Sequence, residues 1–549
     1  TRPVEPLMIS GNVTLADGNS GTSLAGNVTL DGLTFSSFDG MSFGPLTLSG
    51  AAAVIDSNGS NVDFTGAINA GNAATEDISL EVQAGAGAVT FAGAVGDTQA
   101  LADLDVTAAT INLNHATVHV NDDNAALATS VFTGNVVLGT DVTITTDKVT
   151  GADNNLTFAS AVNADVAASN RKLVVAAGTG ATTFTNIGSA QALADLDITA
   201  ATINLNGASV NVNAGAGGTT VDLAGAVVLG SNVSINTNGG TGNNLTFGGT
   251  INADNSVANN RTLTIDSTGA TVRFNGNIGN NVNGRLAGLS VTASSIIIAG
   301  ATVRLDDDDA AGASTFTGAV TLENNVVIDL GDNNLTFAST VDSDGTTRDL
   351  TLNADAGNLT FTGAVGGTAA LDALALNSTG TTTLTAAVTA GSLATNAGGT
   401  TAINGGAVTT TGAQTYNDNV TLGANTALSA TTTTFNGTVA GGGFNLGLTG
   451  NAVFGDATTD TVTGLGTLAV SGTTTINTAT VTSAGTQTYN GAVTLGADTT
   501  LTTTDSTVLF SSTVDSTGGA RDLTVSAGTG AITFTGAVGG TAALDALAL

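Results

Sequence analysis

The stretch that decides the fold is ALADLDVTAATINLN at Ala100–Asn114, which returns as ALADLDITAATINLN at Ala192–Asn206. The two copies differ by one Val-to-Ile change. Further repeats occur as NNLTF at 154–158, 243–247 and 333–337, as GGTAALDALAL at 366–376 and 539–549, and as the related YNDNVTLG and YNGAVTLG at 416–423 and 489–496. Self-similarity of this kind is typical of solenoids and of arrays of small modules.

A shorter unit lies within the long repeats: a large apolar residue is followed four positions later by Val, often with Thr-Gly between them. Between Phe337 and Phe534, the large apolar residues of consecutive units are separated by a mean step of about 20 residues, as in a solenoid. The two short steps that depart most from this mean end at Tyr416 and Tyr489. The sequence predicts that the following residues form an internal core ladder: Phe316, Phe337, Phe361, Phe435, Phe510, Phe534, Val320, Val341, Val365 and Val538.

The local composition favours strands over helices. Apolar spacing of four can mark a helix, but these windows are rich in Thr, Val, Asn and Gly, which are weak helix formers. Small polar and apolar residues alternate, as in Thr533-Phe534-Thr535, which predicts Phe, Gly and Val on one face of a strand. Asn-Gly and Gly-Gly pairs supply corners. Such a unit cannot bury its apolar face alone, so we predict an all-β, right-handed parallel β-helix (β-solenoid) of about 20 residues per coil.

At that period the chain would make roughly 25 to 27 coils, and a spacing of about 4.8 Å per coil would give a rod on the order of 120–130 Å. The rival arrangement is an array of antiparallel sandwiches of about 90 residues each, which would match the long repeat. The solenoid is favoured because the short repeat has no hairpin rhythm and because the three prolines stand at positions 3, 6 and 45 rather than between modules.

Three segments are predicted along the chain. Residues 1–50 begin the solenoid, 51–376 carry long repeats of about 90 residues, and 377–549 carry repeats of about 73 residues and stop within a repeat copy. Because an uncapped solenoid end exposes unpaired strand edges, we expect that more chain follows or that another subunit stacks end to end. The first residue is Thr1, so a processed or partial chain is expected.

Composition excludes several classes of protein. Ten Lys and Arg face 43 Asp and Glu, which gives a net charge of −33 and argues against nucleic acid as a partner. An apolar fraction of 41% argues against a disordered acidic chain. The sequence has no Cys, and therefore no disulfide or thiolate metal site. No apolar run reaches the length of a membrane helix, which needs about 18 residues.

One acidic loop is the candidate metal site. The run Asp306, Asp307, Asp308 and Asp309 aligns with the segment that contains Asp122 and Asp123. Hard carboxylate oxygens suit Ca²⁺, so these residues are predicted as a calcium loop, with a solvated acidic loop as the alternative. His115 and His119 lie four positions apart, which in a strand is about 13 Å and too far for one ion.

Four arginines hold one position of the repeat, two residues before a Leu: Arg171, Arg261, Arg348 and Arg521. One interpretation is a local salt bridge or carbonyl cap at a corner. The other is a row of contacts to a neighbouring acidic rod.

No residues are predicted to be catalytic. Polysaccharide lyases and hydrolases built on β-helices need clustered carboxylates with basic residues and aromatic platforms for sugar rings. This chain has no Trp and two Tyr, and its acidic residues recur along its length. The sequence therefore predicts that the protein is not an enzyme and holds no cofactor apart from the candidate Ca²⁺.

The units FTGAVGGTAALDALAL, TGAQTYNDNVTLGANT and NNLTFASTVDSDG resemble the repeats of filamentous-haemagglutinin-like and β-strand-repeat proteins, which are very large bacterial surface proteins. The resemblance covers nearly the whole chain. It implies a right-handed β-helix, an extracellular or cell-surface location, and roles in adhesion, biofilm matrix or surface layers.

These observations together predict a secreted structural rod that forms part of a bacterial surface fibre, extracellular filament or matrix. Self-association, a cell-surface or polysaccharide ligand, and the absence of a membrane span and of nucleic acid are expected. The alternatives are the stalk of a large adhesin whose binding tip lies outside these residues and, less favoured, a polysaccharide-acting enzyme.

Overall fold

A computed structural model describes residues 6–18, 21–71, 78–123, 126–166, 171–213, 220–237, 242–254, 261–280, 284–305 and 313–549. These residues form strands, corners and turns, and contain no helix. All their strand pairs are parallel, and paired strands lie about 23 residues apart in sequence, which makes a β-solenoid of about 22 turns. Two compact units are present: residues 1–286 with 292–294 (unit 1), and residues 287–291 with 295–549 (unit 2).

The strands up to residue 274 lie in unit 1 and are β1 Leu7–Ile9, β2 Val13–Leu15, β3 Thr22–Leu24, β4 Val28–Asp31, β5 Thr34–Ser37, β6 Met41–Phe43, β7 Leu46–Ser49, β8 Ala53–Asp56, β9 Val62–Phe64, β10 Ile68–Ala70, β11 Ser79–Gln83, β12 Ala88–Phe91, β13 Asp103–Leu113, β14 Thr117–His119, β15 Thr129–Leu138, β16 Val142–Thr145, β17 Asn155–Ala164, β18 Lys172–Ala176, β19 Ala181–Ile187, β20 Asp195–Leu205, β21 Ser209–Asn211, β22 Val221–Leu229, β23 Val233–Asn236, β24 Leu245–Phe247, β25 Ile251–Ala253 and β26 Thr262–Phe274.

The later strands are β27 Gly288–Ile298, β28 Thr302–Arg304, β29 Ala313–Phe316, β30 Ala319–Leu322, β31 Val326–Asp329, β32 Asn334–Phe337, β33 Val341–Ser343, β34 Leu350–Asn353, β35 Leu359–Phe361, β36 Leu371–Asn377, β37 Thr381–Leu384, β38 Val388–Thr395, β39 Thr400–Ile403, β40 Ala407–Thr410, β41 Gln414–Tyr416, β42 Asn419–Leu422, β43 Thr426–Phe435, β44 Val439–Ala440, β45 Leu446–Phe454, β46 Thr461–Leu465, β47 Leu468–Val470, β48 Thr474–Ile476, β49 Thr480–Ser483, β50 Gln487–Tyr489, β51 Val493–Leu495, β52 Thr499–Thr503, β53 Val508–Phe510, β54 Val514–Ser516, β55 Leu523–Ser526, β56 Ile532–Phe534 and β57 Leu547–Ala548.

Each coil has three sides. In unit 1, β15 supplies two sides and β16 the third, and the next coil repeats the arrangement with β17 and β18. Long strands such as β15 continue past a corner, and several of their pairings shift register there. Because every strand pairs with the strand one coil away, the main-chain amides of each coil are satisfied by its neighbours rather than by a hairpin. The sandwich array is therefore excluded.

Side chains alternate between the interior and the surface, as a period of two requires. In β17 the inward residues Leu156 and Phe158 are fully buried, and Thr157 between them is partly exposed. The rings of Phe132, Phe158 and Phe184 lie in three consecutive coils, with centroids 5.4 and 5.0 Å apart and nearly parallel planes. The stacked rings fill the interior at the spacing that the backbone ladder sets.

The predicted parallel β-solenoid is confirmed, with paired strands about 23 residues apart where roughly 20 was expected. About 22 turns are present, fewer than the roughly 25 to 27 expected. Two causes are visible. Some coils are long, such as the one that separates Val142 from its ladder partner Leu173. The two short steps that end at Tyr416 and Tyr489 also lowered the predicted number of residues per coil, because each was counted as a complete coil although it is shorter than one.

Successive copies of a long repeat do not lie in register with each other. Val106 pairs with a residue in the next coil, and following these pairings through four coils leads to Leu205. In the second copy of the repeat, Leu205 is the equivalent of Leu113 and not of Val106. Ile198, the true equivalent of Val106, comes earlier in the chain, lies on another side of the coil and pairs with Val175. The long repeat is thus one side shorter than four coils. Each copy is turned by one side relative to the copy before it.

Glycines occupy corners where the main chains of two coils approach most closely. A Cβ built on Gly491, in the YNGAV corner, would lie 2.2 Å from the carbonyl oxygen and 2.4 Å from the carbonyl carbon of Gly472 in the preceding coil. A Cβ on Gly447, within β45, would meet its nearest atom at 3.9 Å. Neither glycine has a positive φ, so the difference between them is one of space alone.

We predict that Gly491→Ala lowers the free energy of unfolding by about 1–3 kcal/mol, because the new methyl group overlaps main-chain atoms that cannot rotate away. Gly447→Ala is the matched control and is expected to leave stability unchanged or slightly higher. Urea unfolding followed by circular dichroism measures both. Equal stability of the two variants would contradict the close approach at this corner.

Candidate functional site

The predicted core ladder faces the interior. Eight of its ten members, the Phe and Val residues between 316 and 510, are buried, with at most 1% of the side chain exposed. Phe534 and Val538 lie in the last described coil and are partly exposed. The Phe337 and Phe361 rings stack at 5.1 Å, and the Phe510 and Phe534 rings at 4.7 Å.

The Phe and Val of each short repeat lie on adjacent sides of the coil rather than on one strand face. Strand β35 ends at Phe361, the chain turns through Thr362 and Gly363, and Val365 then bridges to Val341 and Val388 on the next side. The spacing of four positions is therefore the signature of a corner. The intervening Gly lies against the preceding coil, since a Cβ on Gly363 would be 2.3 Å from the Ser339 carbonyl carbon.

The two short steps mark places where the aromatic stack changes sides. In unit 2 we name the sides by their strands: side A contains β35, β37, β39 and β42, side B contains 388–390 and β40, and side C contains 393–395 and β41. Ile403 is on side A and Tyr416 on side C of the same coil. From Ile476 on side C, the next step reaches Tyr489 on side B. Each short step therefore spans two sides, not a whole coil.

Each tyrosine at a change of side has a buried glutamine partner. The Tyr416 hydroxyl donates a hydrogen bond to Gln414 Oε1 at 3.1 Å, and the Tyr489 hydroxyl to Gln487 Oε1 at 3.0 Å. Gln414 Nε2 donates to two carbonyls on side B, that of Val408 in its own coil and that of Ser429 in the next coil. Burial raises the pKa of both tyrosines well above the usual range. Sequence reasoning missed these glutamines, although the repeated tripeptide QTY was the available signal.

Buried asparagines form a second internal polar set. Asn154 Nδ2 donates to the carbonyls of Ala102 and Val120 at 2.8 and 2.9 Å, deep in the coil. Its repeat equivalents Asn243 and Asn333 also donate to buried main-chain carbonyls. The first Asn of NNLTF therefore recurs in this chain because it satisfies carbonyls at a corner, a role that needs an amide rather than a carboxylate.

The second Asn of the same motif faces outward and links coils. Asn334 Oδ1 accepts the amide hydrogen of Asn358 at 2.7 Å, and Asn358 Oδ1 accepts that of Thr381 at 2.8 Å. Asn155 does the same for Ala181 at 2.8 Å. In each case a side-chain oxygen in one coil caps the amide that opens the strand in the next coil, so the side chains extend the ladder into the corner.

Three of the four repeat arginines form salt bridges within their own coil. Arg171 binds Asp165 at 2.7 Å, Arg261 binds Asp254 at 2.8 Å, and Arg348 binds Asp344 at 2.7 Å, each through both Nη2 and Nε. The Arg348 hydrogen bond lowers the pKa of Asp344. Each pair links the aspartate that follows one strand to the arginine just before the next strand. This is the local salt bridge that one of the two interpretations of the sequence proposed.

The fourth arginine differs. Where Arg348 has Asp344 four positions earlier, Arg521 has Thr517, and its buried Nε has no hydrogen-bond partner within the described part of the chain. Arg348 precedes β34, whose ladder continues on side C, whereas Arg521 precedes β55, which pairs with β52 on side A. The two repeat arginines of unit 2 therefore lie on different sides. Contact of these arginines with another molecule stays a prediction.

The candidate calcium loop is only partly described, because Asp306, Asp307, Asp308 and Asp309 lie outside the described residues. In the earlier copy, Asp123 Oδ1 accepts the amide hydrogens of Val149 and Thr150 at 2.6 and 3.1 Å, and Asp122 is buried. Asp123 thus acts as a cap for the next coil. Within the ranges that the structure describes, no three His, Asp or Glu side chains are grouped so as to hold a metal ion.

One carboxyl group is buried at a corner among neutral hydrogen-bond donors. Asp418 is 1% exposed; its Oδ1 accepts the Gly399 amide hydrogen at 2.9 Å and its Oδ2 accepts the Thr401 hydroxyl at 3.1 Å. Burial raises the pKa of Asp418, and the hydrogen bonds from Gly399 and Thr401 oppose that change. The second copy of the motif has Gly491 at this position, so the carboxyl group is not needed for the corner.

Comparisons with known proteins add no relative: no family model matches the chain, and neither the curated proteins nor the solved structures contain a match. The part of the chain that the structure describes contains no helix long and apolar enough to cross a membrane.

We predict that Asn358→Ala lowers the free energy of unfolding by about 1 kcal/mol, because the Thr381 amide loses its acceptor. Asn358→Asp keeps an oxygen at the same place and is expected to retain wild-type stability at pH 7. Urea unfolding of the three proteins tests the cap. If Ala and Asp variants are equally destabilised, the side-chain oxygen is not what the corner requires.

We also predict that Asp418→Asn is more stable than the wild type at neutral pH. A carboxyl group whose pKa is raised by folding loses its contribution to stability as the pH rises through that folded pKa, and an amide does not. The stability advantage of the variant should therefore shrink as the pH is lowered toward the usual carboxyl pKa of 3.8. Thermal melts between pH 4 and pH 8 measure it, and a variant that is less stable than wild type at pH 7 would contradict the assignment.

Proposed function

We propose that this chain is a secreted structural β-solenoid whose coils build the shaft of a bacterial surface fibre, extracellular filament or matrix. The observation that carries the proposal is the use of its recurrent polar residues. Asn334, Asn358 and Gln414 are engaged in contacts between neighbouring coils, and Arg348 in a salt bridge that closes a corner. The polar side chains that recur along the chain therefore stabilise the contacts between coils and the corners of each coil.

Parallel ladders also suit a mechanical role. A load along the solenoid axis is shared by the hydrogen bonds of three sides in each coil, and each coil contacts only its neighbours, so stability accumulates along the stack. The net charge of −33 keeps such shafts soluble. The proposal includes no catalytic activity. The resemblance of the repeats to filamentous-haemagglutinin-like proteins supports an extracellular location.

The test is immunogold electron microscopy of cells that produce the protein, with antibodies raised against residues 313–549. Label at regular intervals along extracellular fibres is expected. Label confined to the bases or shafts of isolated projections with unlabelled tips would favour the adhesin stalk instead. Label in the cell interior would overturn both. Cells that lack the gene are the control for antibody specificity.

A further inference from the structure

Unit 2 contains a belt without surface charge. In residues 373–455, which we call the neutral belt, the sole charged residue is Asp418, and its side chain is buried. All other acidic residues and every basic residue of the chain fall outside the neutral belt. On a chain of net charge −33, four consecutive coils therefore present no formal charge to solvent.

The coils of the neutral belt are also short and of even length. On side A, ladder partners follow one another at equal steps along the chain, as Thr382, Thr401, Val420 and Val439. Side B also advances by equal steps, as Val388, Val408, Leu428 and Leu448. Coils of this length have room for short corners only, so no long loop stands out beside the sheet faces.

Outward residues on all three sides are small and uncharged. They run along the ladders as Thr383, Ala402, Thr421 and Ala440 on side A, as Thr389, Thr409, Ser429 and Thr449 on side B, and as Ala394, Thr415, Thr434 and Val453 on side C. Each is partly or fully exposed. Small side chains on a regular sheet leave a level surface that a second sheet face can approach closely.

We propose that the neutral belt is a lateral docking surface for the neutral belt of a second copy of this chain. Elsewhere on the chain, two copies that approach side by side bring carboxylates together, and this electrostatic repulsion is absent where neither surface carries charge. The proposal rests on the fibre function above and names a second copy of this chain as the lateral partner of the shaft.

The contact is expected to be weak between two isolated chains. One side of about four residues by four coils measures roughly 13 by 19 Å, or on the order of 250 Å² per partner, against about 800 Å² per partner in a stable complex. Lateral contact thus gains strength when many chains are aligned in one fibre. Salt should strengthen it, because screening weakens the repulsion between the acidic regions on either side.

Sedimentation velocity of the full chain tests the proposal at increasing protein concentration in 0.15 M and 0.5 M NaCl. The wild type should associate in a concentration-dependent way, more so at 0.5 M. A variant with Thr383→Asp, Thr409→Asp and Thr415→Asp, one on each side, should lose association. The control carries the same change in charge in unit 1, also with one substitution on each side, as Thr143→Asp, Thr157→Asp and Val137→Asp, and should behave as wild type. Circular dichroism confirms that both variants fold.

The absence of cysteine allows a direct readout. A single Thr421→Cys should give cross-linked dimers with a short bis-maleimide under the associating conditions, and Thr143→Cys should not. A wild type that stays monomeric at 0.5 M salt, association that the belt variant retains, or equal cross-linking at both cysteines would each overturn the proposal. The fibre function is judged separately by the immunogold result, so its failure is distinguishable from that of the lateral contact.

Discussion

Hydrogen bonding between the main chains of consecutive coils is the interaction on which the remaining features depend. It fixes the distance between coils at about 4.8 Å, and everything in the interior and at the corners must fit that distance. Aromatic rings such as Phe158 and Phe184 meet it by stacking at 5.0 Å. Corners meet it with glycine, since at Gly491 a single methyl group would overlap the carbonyl of the coil before.

The same constraint explains how the polar residues are distributed. A corner interrupts the backbone ladder, which leaves amides and carbonyls that need partners. Outward asparagines such as Asn358 accept the amide hydrogen that opens the next strand, and inward residues such as Asn154 and Gln414 donate to buried carbonyls. Side chains thereby complete the hydrogen bonding that the main chain cannot complete at a bend. This accounts for the asparagine-rich composition without reference to any ligand.

Long repeats and coils have different lengths, and this mismatch has a structural consequence. Because the long repeat of unit 1 is one side shorter than four coils, Val106 and its equivalent Ile198 face different sides. In unit 2, the ladder that begins at Tyr416 reaches Leu495 after four coils. The repeat equivalent of Tyr416 is Tyr489, which lies one corner before Leu495. The aromatic stack therefore again moves by one side. Equivalent surface residues, the arginines included, are therefore spread around the coil rather than aligned in a row.

The sequence by itself determined the parallel all-β solenoid and the inward direction of residues such as Phe337 and Val341, because period-two alternation and internal repeats depend on local spacing alone. It did not determine the number of coils, the side on which each residue lies, or the partners of Gln414 and Asn154. Those depend on how many residues each corner contains. A short step in the repeat can be recognised as two sides of a coil, rather than a whole coil, only when the coil itself is known. The tertiary structure decided them, because the register between coils is set by pairing between residues as distant in sequence as Val142 and Leu173, which no local pattern encodes.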